Sequence, residues 1–186
     1  MPYYTKEELK KMGFKYLGKN VKISTKASIY YPETVEIGDN SRIDDFCIIS
    51  GKVKIGRNVH IAPFCLVAGG EEGIILDDFS GLAYGVKVFT RSDDYTGLTM
   101  TNPTIPEKYK KVKKAPVYIG KHCIVGTNSI IFPGVKLAEE TAVGAMTLVT
   151  KSTEPWSVYF GIPAKKIKNR KKDLLNLEKK IPRGRR

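Results

Sequence analysis

The sequence predicts an all-β chain wound as a three-sided parallel coil, and three periodic features predict it. Ile37, Ile43, Ile49, Ile55, Ile61 and Val67 stand at intervals of six; the beat returns as Ile119, Val125, Ile131, Leu137, Val143 and Val149, with Leu76, Leu82 and Val88 in a shifted phase. Four residues after each aliphatic comes a small or β-branched side chain: Ser41, Cys47, Val53, Val59 and Cys65 in the first run, then Cys123, Ser129, Val135, Thr141 and Thr147 in the last. One residue after it, Gly38, Gly56, Ala62, Gly120, Gly126, Ala138 and Gly144 recur, with Asp44, Ser50 and Phe132 as exceptions. Six is a multiple of the strand period of two, whereas a helix of 3.6 residues per turn would drift off face. Each hexad therefore reads as a short strand and a corner. Three hexads close one triangular turn, and successive turns stack at the ~4.8 Å inter-strand spacing with the aliphatics filling the prism. No turn buries its own inner face, so stability needs a run of turns.

The other elements follow in chain order. Thr5 and Glu8 have capping-box spacing ahead of Leu9 and Met12, predicting a short N-terminal helix over residues 1–20 that covers the first turn. The coil spans residues 21–165, interrupted by a protruding loop at 90–116. A loop of this length in a compact domain is functional or disordered, and Ser92, Asp93, Asp94 and Tyr95 are concentrated where the chain leaves the coil. Residues 166–186 read as a basic tail, with a helix around Leu174, Leu175 and Leu177 that blunts an exposed strand edge and a disordered end from Pro182. The opening MPYYTKEELKKMG lacks an apolar signal region, and no stretch approaches the ~18 apolar residues of a membrane span. The expectation is a cytoplasmic protein.

The chain has 186 residues, enough for one domain with a core of its own, and a formal net charge of +13. Between Lys165 and Arg186 there are eleven Lys or Arg against only Asp173 and Glu178. The excess is therefore terminal, suited to anionic groups, including weak contact with an anionic membrane surface. Without interleaved aromatics or a nucleic-acid motif, nucleic acid is not an expected partner. Cys47, Cys65 and Cys123 all fall in the small inward slot, and none forms a CxxC pair, so they read as core filler.

The repeated [LIV]-[GAD]-x-x-[STCV]-x pattern resembles the hexapeptide-repeat acyltransferases over about residues 21–165. That resemblance implies a left-handed parallel β-helix, a handedness the periodicity itself does not supply. YIGKHCIVGTNSIIFPGV, AVGAMTLVTKS and FGIPAKKIK are most similar to the maltose and galactoside O-acetyltransferase branch and its relatives that modify surface sugars. The resemblance implies acetyl-CoA as acyl donor, with Thr127, Ala145, Thr150 and Lys151 along the pantetheine groove and Lys165 and Lys168 near the nucleotide phosphates. It also implies a homotrimer with sites between neighbouring prisms.

The catalytic assignment departs from that branch. Its members carry a loop histidine as base, but aligning GLAYGVKVFTRSDDY puts Asp93 there, and the chain has only His60 and His122. His60 precedes the inward Ile61 and so points outward, which makes it the expected base for deprotonating a sugar hydroxyl, with Asp93 or Asp94 orienting its ring. Ser92 and Tyr95 are expected to meet the acceptor. O-acetylation in polysaccharide or lipopolysaccharide synthesis, by direct attack, is thus the first expectation. N-acetylation of a nucleotide-linked amino sugar, which needs weaker base assistance, is the alternative, and a non-catalytic scaffold the second. Two histidines cannot make a three-histidine zinc site. No metal is expected.

Overall fold

The computed structural model describes residues 2–181, and within it the chain winds as a left-handed parallel β-helix. One face, here face A, stacks Lys22–Ile23, Arg42–Ile43, His60–Ile61, Gly81–Leu82, Ile124–Val125, Ala142–Val143 and Ser157–Phe160. The other two faces share a sheet because Ile48–Ile55 and Leu66–Leu76 each bend across the corner between them. Face B carries Lys87–Phe89, Ile130–Ile131 and Leu148–Val149; face C carries Tyr16–Leu17, Val35–Ile37, Val117–Ile119 and Lys136–Leu137. Every hexad aliphatic named above from Ile37 to Val149 lies inside, none more than 3% exposed, and the small slot beside it is buried as well. The polar members of that slot bond to corner backbone: Ser41 Oγ donates to the Gly56 carbonyl at 2.7 Å, and Ser129 Oγ to that of Gly144 at 2.8 Å.

The corners separate two requirements that the glycine pattern merges. Left-handed φ falls at Asn40, Phe46, Asn58, Phe64, Asn128 and Met146, not at the recurring glycines. Those glycines are demanded by approach: a Cβ on Gly38 would stand 2.6 Å from the Gly56 carbonyl carbon, and one on Gly126 would stand 2.5 Å from the Ala145 nitrogen. The phase shift also has a cause. Ile43 pairs with Ile61, but Ile61 pairs with Leu82, a longer step, because extra residues around Gly69–Gly73 are accommodated at the corner after face B.

Helix α1, Lys6–Lys11, begins with the capping box: Glu8 N–H donates to Thr5 Oγ1 at 3.2 Å, Thr5 N–H donates to Glu8 Oε2 at 2.7 Å, and Leu9 is buried. The loop at 90–116 is stemmed by antiparallel Arg91–Ser92 and Lys113–Lys114, with a 3-10 turn at Glu107–Tyr109. Two expectations for the C-terminus are corrected. Lys165–Asn169, expected mostly as tail, is a strand antiparallel to Ser157–Phe160, and it covers the last edge of face A. Helix α2, Leu174–Glu178, instead folds back on the C–A corner, where Glu178 bonds Lys121 at 2.7 Å and His122 at 2.9 Å. The PRGRR segment lies outside the described residues. The cysteines are free and buried; burial pushes the Cys123 thiol up to about 12.

Candidate functional site

His60 stands outward on face A, between Arg42 one turn below and Gly81 one turn above. Gly81 carries no side chain to roof the imidazole, and the ring is half exposed. Its partner is Asp44: His60 Nε2 lies 2.8 Å from Asp44 Oδ2. The Asp44 side chain is 2% exposed and accepts two further bonds from Arg42, Nε to Oδ1 at 2.6 Å and Nη2 to Oδ2 at 2.9 Å. Burial is the largest single effect on that carboxyl and pushes its pKa up, but the Arg42 and His60 hydrogen bonds and charges together outweigh it, so the pKa lies below the ordinary value. A carboxylate only accepts, so Nε2 is the ring nitrogen that donates to Asp44. The arrangement is an outward-facing imidazole oriented by a buried carboxylate.

The expectation that Asp93 or Asp94 orients His60 is therefore corrected: Asp44 holds the ring, and the loop aspartates belong to a different part of the prism. The loop stem is tied to the corner after face B by Thr90 Oγ1 to the Gly69 carbonyl at 3.0 Å and by Arg91 to Glu72 at 3.0 Å. Within the loop the two aspartates differ. Asp94 is committed to turn structure, accepting from Thr96 N–H at 3.0 Å, Thr96 Oγ1 at 2.7 Å and Thr99 Oγ1 at 3.1 Å; the Thr96 bonds lead the effects that hold its pKa down. Asp93 accepts one long bond, from Asn102 N–H at 3.3 Å. Ser92 lies on the stem with its hydroxyl 3.4 Å from the Asp93 carbonyl, and Tyr95 is 89% exposed.

The predicted carrier residues divide over the two edges of face B. Thr127 and Ala145 occupy equivalent places on the A–B corner in consecutive turns, linked by Met146 N–H to the Thr127 carbonyl at 2.8 Å. Thr150 and Lys151 follow Leu148–Val149 at the opposite edge, both exposed. Lys165 begins the last strand just beyond the turn at Gly161–Ala164, which bonds to Leu148 from both sides, while Lys168 lies farther along that strand opposite Val158. His122 is withdrawn from the surface, its ring stacked on Phe79 at 4.9 Å and bonded to Glu178. Asp44 and Arg42 escaped the sequence reading, although a period of three hexads places Arg42 directly beneath His60.

Comparison with known proteins agrees with this architecture. A bacterial transferase hexapeptide model of six repeats matches residues 34–69. The chain is 41% identical over 181 residues to an Escherichia coli dTDP-4-amino-4,6-dideoxy-D-glucose acyltransferase, covering 96% of this chain and 94% of that protein. It is 49% identical to AntD, an N-acyltransferase from Bacillus cereus, in complex with dTDP and 3-hydroxybutyryl-CoA, with a TM-score of 0.95 and coverage of 97% and 96%. A variant of AntD bound to dTDP-4-amino-4,6-dideoxyglucose and coenzyme A also gives a TM-score of 0.95, at 50% identity with 96% of each chain covered. A maltose O-acetyltransferase from Clostridium difficile, at 23% identity and a TM-score of 0.57, shares the fold alone. With near-complete coverage at 41% identity on a prism of this geometry, the chain belongs to the hexapeptide-repeat acyltransferases.

Proposed function

We propose that this enzyme transfers an acyl group from acyl-CoA to the amine of a nucleotide-linked amino sugar. The amine alternative thus displaces sugar O-acetylation as the leading reading. The observation that carries it is the near full-length identity to an acyltransferase named for dTDP-4-amino-4,6-dideoxy-D-glucose, joined to an aspartate where an O-acetyltransferase-like loop would offer histidine. A sugar ammonium is a cation at neutral pH, and the sparsely bonded Asp93 carboxylate suits it. A sugar hydroxyl has no such charge to offer.

The chemistry balances without a covalent enzyme intermediate. The ammonium loses one proton, and the free amine attacks the thioester carbonyl. As the C–N bond forms and the C–S bond breaks, sulfur leaves with the electron pair and takes a proton as the coenzyme A thiol. The overall reaction releases one proton. Asp93 binds the amine, and His60, its Nε2–H directed at Asp44, accepts a proton at Nδ1. Positioning supplies the remaining acceleration. Face A and the loop lie on different sides of one prism, so we assign the working site to the cleft between copies of a homotrimer. Thr127, Ala145, Thr150 and Lys151 line the pantetheine path, and Lys165 and Lys168 meet coenzyme A phosphates.

The test is free-thiol release from acetyl-CoA with a panel of acceptors: dTDP-4-amino-4,6-dideoxyglucose, its 4-hydroxy counterpart and maltose. Thiol release with the amine alone is the expected result. Equal release with the hydroxyl acceptors would restore O-acylation.

A further inference from the structure

The C–A corner changes character where the C-terminal segment crosses it. In the lower turns its left-handed positions are Asn20, Asn40 and Asn58, at φ of 56°, 59° and 54°, a residue type this conformation favours. Higher up they are Phe79, His122, Glu140 and Trp156, of which only His122 suits it. The C-terminal segment descends over these four. Arg170 N–H donates to the Trp156 carbonyl at 2.7 Å, and Arg170 Nη1 donates to the carbonyls of Glu140 at 3.2 Å and His122 at 2.7 Å. At the end of α2, Glu178 enters a ring of cations: Oε1 lies 2.7 Å from Lys121 Nζ and 3.8 Å from Arg57 Nη2, and Oε2 lies 2.9 Å from His122 Nε2. Phe79 floors the ring, with the Arg57 guanidinium 4.5 Å and the His122 ring 4.9 Å from its centre. The Asp78 carboxylate is taken up by Arg57, through Nε at 2.9 Å and the backbone N–H at 2.8 Å. A cleft of about 850 Å³ opens beside these pairs, and in its lining Arg57, Lys121, Lys172, Lys179 and Lys180 stand against Glu178 as the one carboxylate.

We propose that this cleft is a binding site for a diphosphate-bearing anion, and that Glu178 closes it as a latch that the anion displaces. A carboxylate gripped through both oxygens by lysine, arginine and histidine makes the contacts a phosphoryl group would make, and a diphosphate brings more acceptor oxygens and more charge to the same donors. Five cations around one carboxylate leave an excess that a multiply charged anion matches better than Glu178 does. Occupancy expels Glu178 and undocks α2, while Arg170 and the pairing of Lys165–Asn169 with Ser157–Phe160 keep the rest of the segment in place. The C–A corner holds none of the residues assigned above to the acyl carrier or the acceptor. The site is therefore additional to the reaction's own, and the inference does not rest on the amino-sugar reading. A diphosphate reaches it either free or carried by a nucleoside.

The test titrates the whole protein with inorganic pyrophosphate and, separately, with ADP, each against sodium chloride of equal ionic strength. Affinity is read by calorimetry and docking of α2 by amide exchange across Leu174–Glu178. Pyrophosphate is expected to bind and to speed exchange in α2 about ten-fold beyond the salt control. The same effect from ADP supports the site with a nucleotide as carrier, and its absence with ADP supports it for the free diphosphate. Glu178→Gln removes the competitor and is expected to tighten pyrophosphate binding about ten-fold, whereas Lys121→Met, which keeps the side-chain length, is expected to weaken it by a similar factor with the acyl-CoA KM within two-fold of wild type. Exchange no faster than in sodium chloride overturns the proposal, as does pyrophosphate affinity that neither substitution moves. A rise in the acyl-CoA KM of Lys121→Met in step with its loss of pyrophosphate also overturns it, by assigning the cations to the coenzyme.

Discussion

At His60 the ring is held through Nε2 by a buried carboxylate while about half of the side chain stays exposed. Asp44 is what distinguishes this histidine from a solvated one. Its replacement by alanine leaves Arg42 and His60 without their shared acceptor, and a cost of about 2 kcal/mol is expected from lost hydrogen bonds to charged groups, readable as a lower urea midpoint. The same variant should lower kcat toward the level of His60→Asn, expected about 10²-fold below wild type, with little change in acyl-CoA binding. Asp93 and Asp94 make a second contrast. Asp93→Asn is expected to reduce kcat/KM for the amine acceptor by a factor of about 10² or more, whereas Asp94→Asn removes acceptors for Thr96 and Thr99 and so should disorder the loop, detectable as faster amide exchange there. The outward place of His60 is legible in the sequence because alternation fixes it from Ile61. Its partner requires knowing which residue lies one turn below, and only the coil supplies that neighbour.

Among the elements, α1 and the hexad strands are the most readable. The capping box at Thr5 and Glu8 is a local hydrogen-bond exchange, and the inward aliphatics repeat a fixed geometry, so both are written in nearby residues. The last strand is not, and of α2 the helix is legible around Leu174, Leu175 and Leu177 while its docking is not. Lys165–Asn169 is pairing with Ser157–Phe160, and α2 is held by ion pairs to residues many positions away, contacts that composition hides beneath a run of positive charge. Hydrogen bonds from Lys121 and then His122 lower the Glu178 pKa from its ordinary 4.5 to about 2. A depressed carboxylate contributes stability that is present above the unfolded value and is lost as pH falls through the folded value. Docking of α2 should therefore weaken between about pH 4.5 and 2, and Glu178→Gln should abolish that dependence. Proteolytic release of the C-terminal segment as a function of pH reads this directly. Unchanged protection across the interval would show that the helix is held by other contacts.

For the molecule as a whole, the prism supplies straight edges and flat faces on which outward side chains such as His60 are displayed. The core is uniform enough that Ile43→Ala should cost about 2–5 kcal/mol wherever in the stack such a change is made. A Gly126→Ala change should separate two turns outright, because its Cβ would meet backbone at 2.5 Å. Among the described residues no helix is long and apolar enough to cross a membrane. The fold was legible because a six-residue period permits few other packings. The acceptor was not, because the periodic residues that specify the coil say nothing of the group acylated. The bond formed is therefore the most direct measurement: mass spectrometry of dTDP-4-amino-4,6-dideoxyglucose after incubation with enzyme and acetyl-CoA, before and after mild alkali. N-acylation predicts a single acetyl addition that survives alkali as an amide. An addition removed by alkali, or none at all, would contradict it.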